Sequence, residues 1–247
     1  MRDKSSLVND IKSLKKFEIM PVAVERSGQF HIDDKVKAIT IENENEIIAT
    51  VSTRYKLIQF ADVFLPAIAG IPDFEGDIDT YKGKANLFVF PTNLANPQHR
   101  IGVLLRNSVD KSSAIEIKFC VCVNNYFITI PNQIRQFRKV HIGRALSFTQ
   151  DFLNGLSNIQ DTWNTIVEKY KSYNIDTEIV ENICKELKLT KKARERVSSF
   201  SVTNLWELFI VILDQITRKR YRSEIHKQRK IEKISQLFYQ YTIGANL

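Results

Sequence analysis

The sequence predicts an α+β fold, with a β-rich front and a helical back, and two observations carry that expectation. Between about residues 19 and 131, apolar side chains recur at strand-like spacing, broken at short intervals by Gly, Pro and Asn. After about 146 the period becomes helical. Phe152, Leu156, Ile159, Trp163, Ile166 and Tyr170 follow at steps of 4, 3, 4, 3 and 4, an a/d seam nearly three heptads long. The expected division is a β-rich region over 1–146, with an N-terminal helix and a basic hairpin segment, and a helical region over 147–247.

In chain order, Leu7, Val8, Ile11 and Leu14 share one helical face of 5–17, with Lys12, Lys15 and Lys16 away from it. Val36, Ala38, Ile39 and Ile41 form a strand before an Asn/Glu-rich turn, and Ile47 to Val51 resumes it. Phe60 to Ala69 reads as a short helix stopped by Gly70 and Pro72. Further strands fit 86–91, 100–106, 114–123 and 126–130. The last two are joined by Asn124-Asn125, residues that tolerate the positive φ of a tight hairpin. The 152–170 seam pairs with another helix of this chain or of a second subunit. Four more helices fit 176–188, 191–199, 203–217 and 219–241. Leu205 to Leu213 is apolar nearly all round except for Glu207, so that helix, with Trp206, is expected to lie in the core.

Composition narrows the function classes. The 247 residues are 43% hydrophobic and 26% charged, which excludes global disorder. The longest apolar stretch, Leu208 to Leu213, is far below the ~18 residues of a membrane span. The segment after Met1 is amphipathic rather than continuously apolar, so a cytoplasmic protein without a secretory signal is expected. Cys120, Cys122 and Cys184 are too few, and odd in number, for a disulfide framework. Neither their spacing nor that of the four histidines suits zinc, so reduced thiols are expected, with no metal and no cofactor. Eight glycines form no G-x-G-x-x-G, and Gly76 to Lys84 lacks phosphate-loop spacing, with Ala85 where the hydroxyl belongs. Ser108, Ser112 and Ser113 stand in no G-x-S-x-G context. No catalytic residue is assigned.

Charge is the stronger signal. Residues 1–99 hold 12 Lys/Arg against 14 Asp/Glu, residues 100–146 hold 8 against 2, and residues 218–233 hold 8 against 2. Two short stretches therefore carry more than the whole formal excess of +8, a segregation that suits a polyanionic partner. In the first, Arg100, Arg106, Lys111, Lys118, Arg135, Arg138, Lys139 and Arg144 are interleaved with Phe119, Tyr126, Phe127 and Phe137. Cations attract phosphates and aromatic faces accept unstacked bases. In the second, Lys219, Arg222, His226, Lys230 and Lys233 recur along one helix face, with Ile231, Ile234, Phe238 and Tyr241 on another. Asp73, Glu75, Asp77 and Asp79 alternate, as an edge-strand charge run does or as a Mg²⁺ site would require.

Three segments together resemble a known family. They are Val51-Ser52-Thr53-Arg54-Tyr55 with Gln59 and Ala61 to Phe64; Asn107-Ser108-Val109-Asp110-Lys111-Ser112-Ser113-Ala114 with Cys122, Asn124, Asn125 and His141; and Thr203 to Leu208. Their order and spacing are similar to the phage/plasmid-like family of uncharacterised proteins encoded by prophages, plasmids and viruses. Lys111 replaces the family's usual Gly, and Asn124-Asn125 its frequent Asn-Gly. The resemblance implies a mobile-element protein acting near DNA replication, recombination or restriction, and supplies no reaction. Its outline also resembles phage single-strand annealing proteins, at the level of fold alone.

The chain is therefore expected to be a non-enzymatic nucleic-acid-binding protein of a virus, prophage or plasmid, acting on single-stranded DNA in replication, annealing or recombination. Arg100, Arg106, Lys111, Arg135, Arg138, Lys139 and Arg144 would hold phosphates, with Asn107, Ser108 and Ser112 adding neutral hydrogen bonds. Arg222 and Lys230 would extend the surface. A homo-oligomer is the other expected partner, and no membrane is. Two other readings stay open: a protein-interaction module acting on a host defence or replication protein, and a nuclease built on the 73–79 carboxylates.

Overall fold

The computed structural model describes residues 1–44, 46–94, 99–110, 115–131, 137–139 and 150–244. The fold is α+β. In chain order the elements are β1 (Arg2–Asp3), α1 (Lys4–Lys12), β2 (Phe17–Arg26), β3 (Gln29–Ile41), β4 (Ile47–Ser52), α2 (Phe60–Ala69), β5 (Phe74–Tyr81), β6 (Lys84–Pro91), β7 (Arg100–Ser108), β8 (Ile115–Val123), β9 (Tyr126–Thr129) and β10 (Phe137–Lys139). There follow α3 (Gln150–Ser172), α4 (Thr177–Glu186), α5 (Lys191–Ser198), α6 (Leu205–Thr217) and α7 (Glu224–Gly244).

Two compact units interleave along the chain rather than meeting at a single cut near 146. One comprises Met1–Ala95, Gly102–Lys118 and Ile134–Leu153; the other comprises Asn96–Ile101, Phe119–Gln133 and Asn154–Leu247. In the first, a sheet runs in the order β1-β5-β6-β7-β8-β10, and a second sheet runs β2-β3-β4. Leu7 and Ile11 of α1 and Phe60, Phe64 and Ile68 of α2 are fully or almost fully buried, as are Phe74, Leu87 and Val89 of the sheet. In the second unit, the Cys120–Val123 end of β8 pairs with β9, and α3 to α7 follow.

Three hairpins close through two residues that both have positive φ: Ser27 (53°) with Gly28 (79°), Lys82 (42°) with Gly83 (66°), and Asn124 (48°) with Asn125 (64°). Such turns match the right-handed twist of the strands they join. At Gly83 the need for glycine is doubled, because a Cβ there would stand 2.7 Å from Ile48 Cγ2 and 2.9 Å from Val109 Cγ2.

From Leu156 to Tyr170 the a/d seam of α3 is used within its own unit, and the Phe152 side chain lies outside the described residues. Leu156, Ile159, Trp163, Ile166 and Tyr170 are buried. Tyr170 meets Phe209 of α6 at 5.7 Å between ring centroids and Phe238 of α7 at 6.2 Å. Two helix bounds lie five residues from those expected, more than any other. α1 ends at Lys12, where Ser13 closes the last turn, and Phe17 already belongs to β2. α7 begins at Glu224 rather than 219, because Ser223 accepts from the His226 amide (3.3 Å) and starts the helix there.

Gly102 lies where β7 passes the side chain of its neighbour in the sheet. A Cβ at this position would meet the Val89 carbonyl oxygen and stand 2.5 Å from Phe90 Cδ1. Both partners are buried and cannot swing clear. Gly102→Ala is expected to destabilise the protein by about 2 kcal/mol or more, read from the urea midpoint at unchanged m-value.

Candidate nucleic-acid interface

β7 is buried from Ile101 to Ser108, and this decides the fate of its polar residues. Arg106 is 6% exposed. Its Nε donates to Asn86 Oδ1 on β6 at 3.0 Å, and its Nη1 donates to Glu116 Oε2 on β8 at 3.2 Å. Asn86 lies directly opposite Arg106 in the ladder, so the two side chains share a face. Lys118, two residues along β8 from Glu116, shares that face and pairs with the same carboxylate oxygen at 3.3 Å. The guanidinium is thus a neutralised internal group. Asn107 and Ser108 are fully buried.

The expectation that Arg106, Asn107 and Ser108 hold a nucleic-acid backbone is therefore corrected. Alternation along a strand does not distinguish a sheet wet on one face from one buried on both. Arg100 opens β7 half-buried, close enough for its charge to act on Cys122. Lys111, Ser112, Arg135 and Arg144 lie outside the described residues, as do the side chains of Arg138 and Lys139; in β10, Arg138 stands opposite Glu116 in register. Of the interleaved aromatics, Phe119 is core, whereas Tyr126 and Phe127 are partly exposed.

The second basic stretch fares differently. Residues 185–233 hold 14 Lys/Arg against 6 Asp/Glu, equal to the whole formal excess of the chain. The end of α4 brings part of it together. Leu187 caps α4, and the Leu189 amide donates to the Cys184 carbonyl (3.0 Å) and the Lys188 amide to the Lys185 carbonyl (2.9 Å). This closing motif places Lys188 at φ 52°, a left-handed position that glycine normally fills. Lys230 of α7, 43 residues from Leu187 in sequence, donates its ammonium to the Leu187 carbonyl at 3.0 Å. A helix C-terminus attracts a cation in this way.

Around that ammonium stand Lys188, Lys219 and Lys233, all exposed. Burial, and then repulsion from Lys233, Lys219 and Lys188, hold the Lys230 ammonium below its ordinary range. Arg222 is exposed just before α7. The cluster joins the α4–α5 turn to α7, a convergence that no spacing along the chain announces. The signal available in sequence was the single-signed charge of 218–233.

The three thiols are free and buried, and burial raises each above its usual range. In the 73–79 run, Asp77 pairs with Arg2 at 3.2 Å and Asp73 accepts from the Thr92 hydroxyl at 3.1 Å. Among the described residues, no three His, Cys, Asp or Glu side chains gather as metal ligands, and no helix is long and apolar enough to cross a membrane. The segments that resemble the phage/plasmid-like family serve the fold. Gln59 brackets Phe17 with two bonds (3.0 and 2.7 Å), Tyr55 donates to the Val109 carbonyl (2.8 Å), and at the start of α6 the Glu207 amide donates to Asn204 Oδ1 (3.0 Å) while the Glu207 carboxylate accepts from the Thr203 amide (2.8 Å). No protein-family model, curated protein or solved structure matches this chain, so the resemblance rests on those residues alone.

Glu116→Gln is expected to cost about 3 kcal/mol in chemical denaturation, because it removes a charged partner from the buried Arg106 guanidinium. The double variant Arg106→Met/Glu116→Leu should recover much of that loss. Neither change should alter the affinity of folded protein for DNA.

Proposed function

We propose that this chain is a non-enzymatic nucleic-acid-binding protein of a virus, prophage or plasmid, acting on single-stranded DNA in replication, annealing or recombination. The observation that carries it is the lysine cluster at the α4–α5 turn, where Lys188, Lys219 and Lys233 surround Lys230. Like charges held together raise the energy of the free protein, and a polyanion relieves it. A row of phosphates would restore the Lys230 ammonium towards its ordinary range. Binding then takes up protons at alkaline pH, and affinity falls as pH rises through the lowered value of the free protein. The left-handed Lys188 adds support, since a residue held where glycine is favoured often marks a functional constraint.

The test is a salt titration of a fluorescein-labelled oligothymidylate, followed by anisotropy, with a duplex of equal length beside it. Four ammonium groups meeting four phosphates give a slope of log K against log salt near −3, at ~0.7 per phosphate on a single strand. Replacing Lys188, Lys219 and Lys233 with Ala should flatten the slope by roughly 2. Replacing Lys12, Lys15 and Lys16, in the acidic half of the sequence, should change it little. Equal losses from both triples would make binding a property of net charge alone. The basic cluster would then be read as a surface for an acidic protein partner.

A further inference from the structure

The helical unit holds a cavity of about 300 Å³ whose lining includes His99, Trp163, Asn164, Glu168, Lys171 and Trp206. We propose that this cavity receives one unstacked nucleobase; this deepens the single-stranded DNA reading and rests on it. Trp163 and Trp206 stand with ring centroids 6.0 Å apart and planes at 72°. Two indoles at that angle form a corner, in which a flat ring lies on one face while its edge meets the other. His99 also lines the cavity, its ring centroid 6.5 Å from that of Trp163 at 63°. Trp163 is 3% exposed and fixes the wall, whereas Trp206 keeps part of its surface open to the cavity.

The polar groups select the class of ligand. Glu168 and Lys171 pair with each other at 3.0 Å on α3, so the rim adds no net charge. Burial keeps the His99 imidazole below its usual range, which favours the neutral ring. A phosphate would meet a carboxylate with no surplus cation, and a purely apolar group would leave the exposed Asn164 amide facing it. Asn164 offers a donor and an acceptor, the complement of a base edge. A neutral heteroaromatic ring with polar edges satisfies every wall, and the volume sits at the small end of ligand cavities. Cation cluster and aromatic corner then have separate tasks, phosphate attraction and base stacking.

The sequence contains two tryptophans and both line this cavity, so intrinsic indole fluorescence reports on it without a label. Three ligands are titrated against the full chain: oligothymidylate, an abasic phosphodiester strand of equal charge, and free nucleosides. Quenching by oligothymidylate but not by the abasic strand, with both bound by anisotropy, is the expected result. Binding of both strands with no change in fluorescence would overturn the base site and leave DNA binding standing. If neither strand binds, quenching by free nucleosides would keep the cavity as a base site while the DNA reading fails, and silence there would remove both. Trp206→Ala should weaken the nucleoside response roughly tenfold, as loss of a stacking partner does. Asn164→Ala, at an exposed rim position, tests the same site without risk to the core. An unchanged response in both variants would overturn the assignment.

Discussion

Strands β6 and β7 are out of water on both faces, and much else follows from that constraint. From Ala85 to Pro91 and from Ile101 to Ser108 every residue is buried, whichever way its side chain points. A charged group in such a strand must find its counter-charge and its hydrogen bonds among its neighbours. Arg106 does so through Asn86 and Glu116, and Lys118 closes the same carboxylate. The sheet can therefore contain basic residues without presenting a basic surface. Among the described residues, the Asn86 Nδ2 and both polar atoms of the Asn107 amide are buried with no hydrogen-bond partner, polar groups that such a strand holds at a cost in stability.

The helical unit resolves the same problem by segregation. Tyr170, Phe209 and Phe238 form a continuous aromatic contact, with Phe209 and Phe238 at 5.0 Å, and Trp206 extends it from Phe209 to Trp163. With the seam of α3 used internally, the lysines of the α4–α5 turn and α7 are left on the outside. Their proximity depends on where α4 ends. A helix one turn longer would commit the Leu187 carbonyl to the amide of residue 191 and take it from Lys230.

Local chemistry was legible in the sequence and long-range context was not. α2 runs over Phe60–Ala69 as its apolar pattern and the following Gly70 and Pro72 indicate, and Asn124-Asn125 forms the turn those residues favour. Both depend on neighbours in the chain. Alternation along β7 marks Arg106 as a surface cation, because it is silent about what covers each face. The apolar run around Trp206 marks it as core, yet its indole lies partly open at a cavity whose other walls come from residues 99, 123 and 163–171. The start of α7 was missed because an unbroken basic run from 218 hid the capping role of Ser223. The spacing of 219–233 puts Lys230 on a basic helix stripe, but its bond to Leu187 joins two elements that no periodicity relates.

The hairpin of β2 and β3 has a different physical character from the rest of its unit. β4 pairs with β3 only between Val36 and Thr40, so nearer the turn each strand has a single neighbour in the described ladder. Register shifts between Pro21 and Ala23, and Pro21 supplies no amide, which uncouples this outer part from the body. Phe30 and Ile32 are 77% and 73% exposed, so little apolar burial holds it. Such a segment opens on its own while the remainder stays folded. Its amides trade hydrogen with solvent through local fraying, whereas those of β6 and β7 wait for the whole unit to unfold. The protein thus carries two opening free energies within one chain, and an average over all its amides would describe neither.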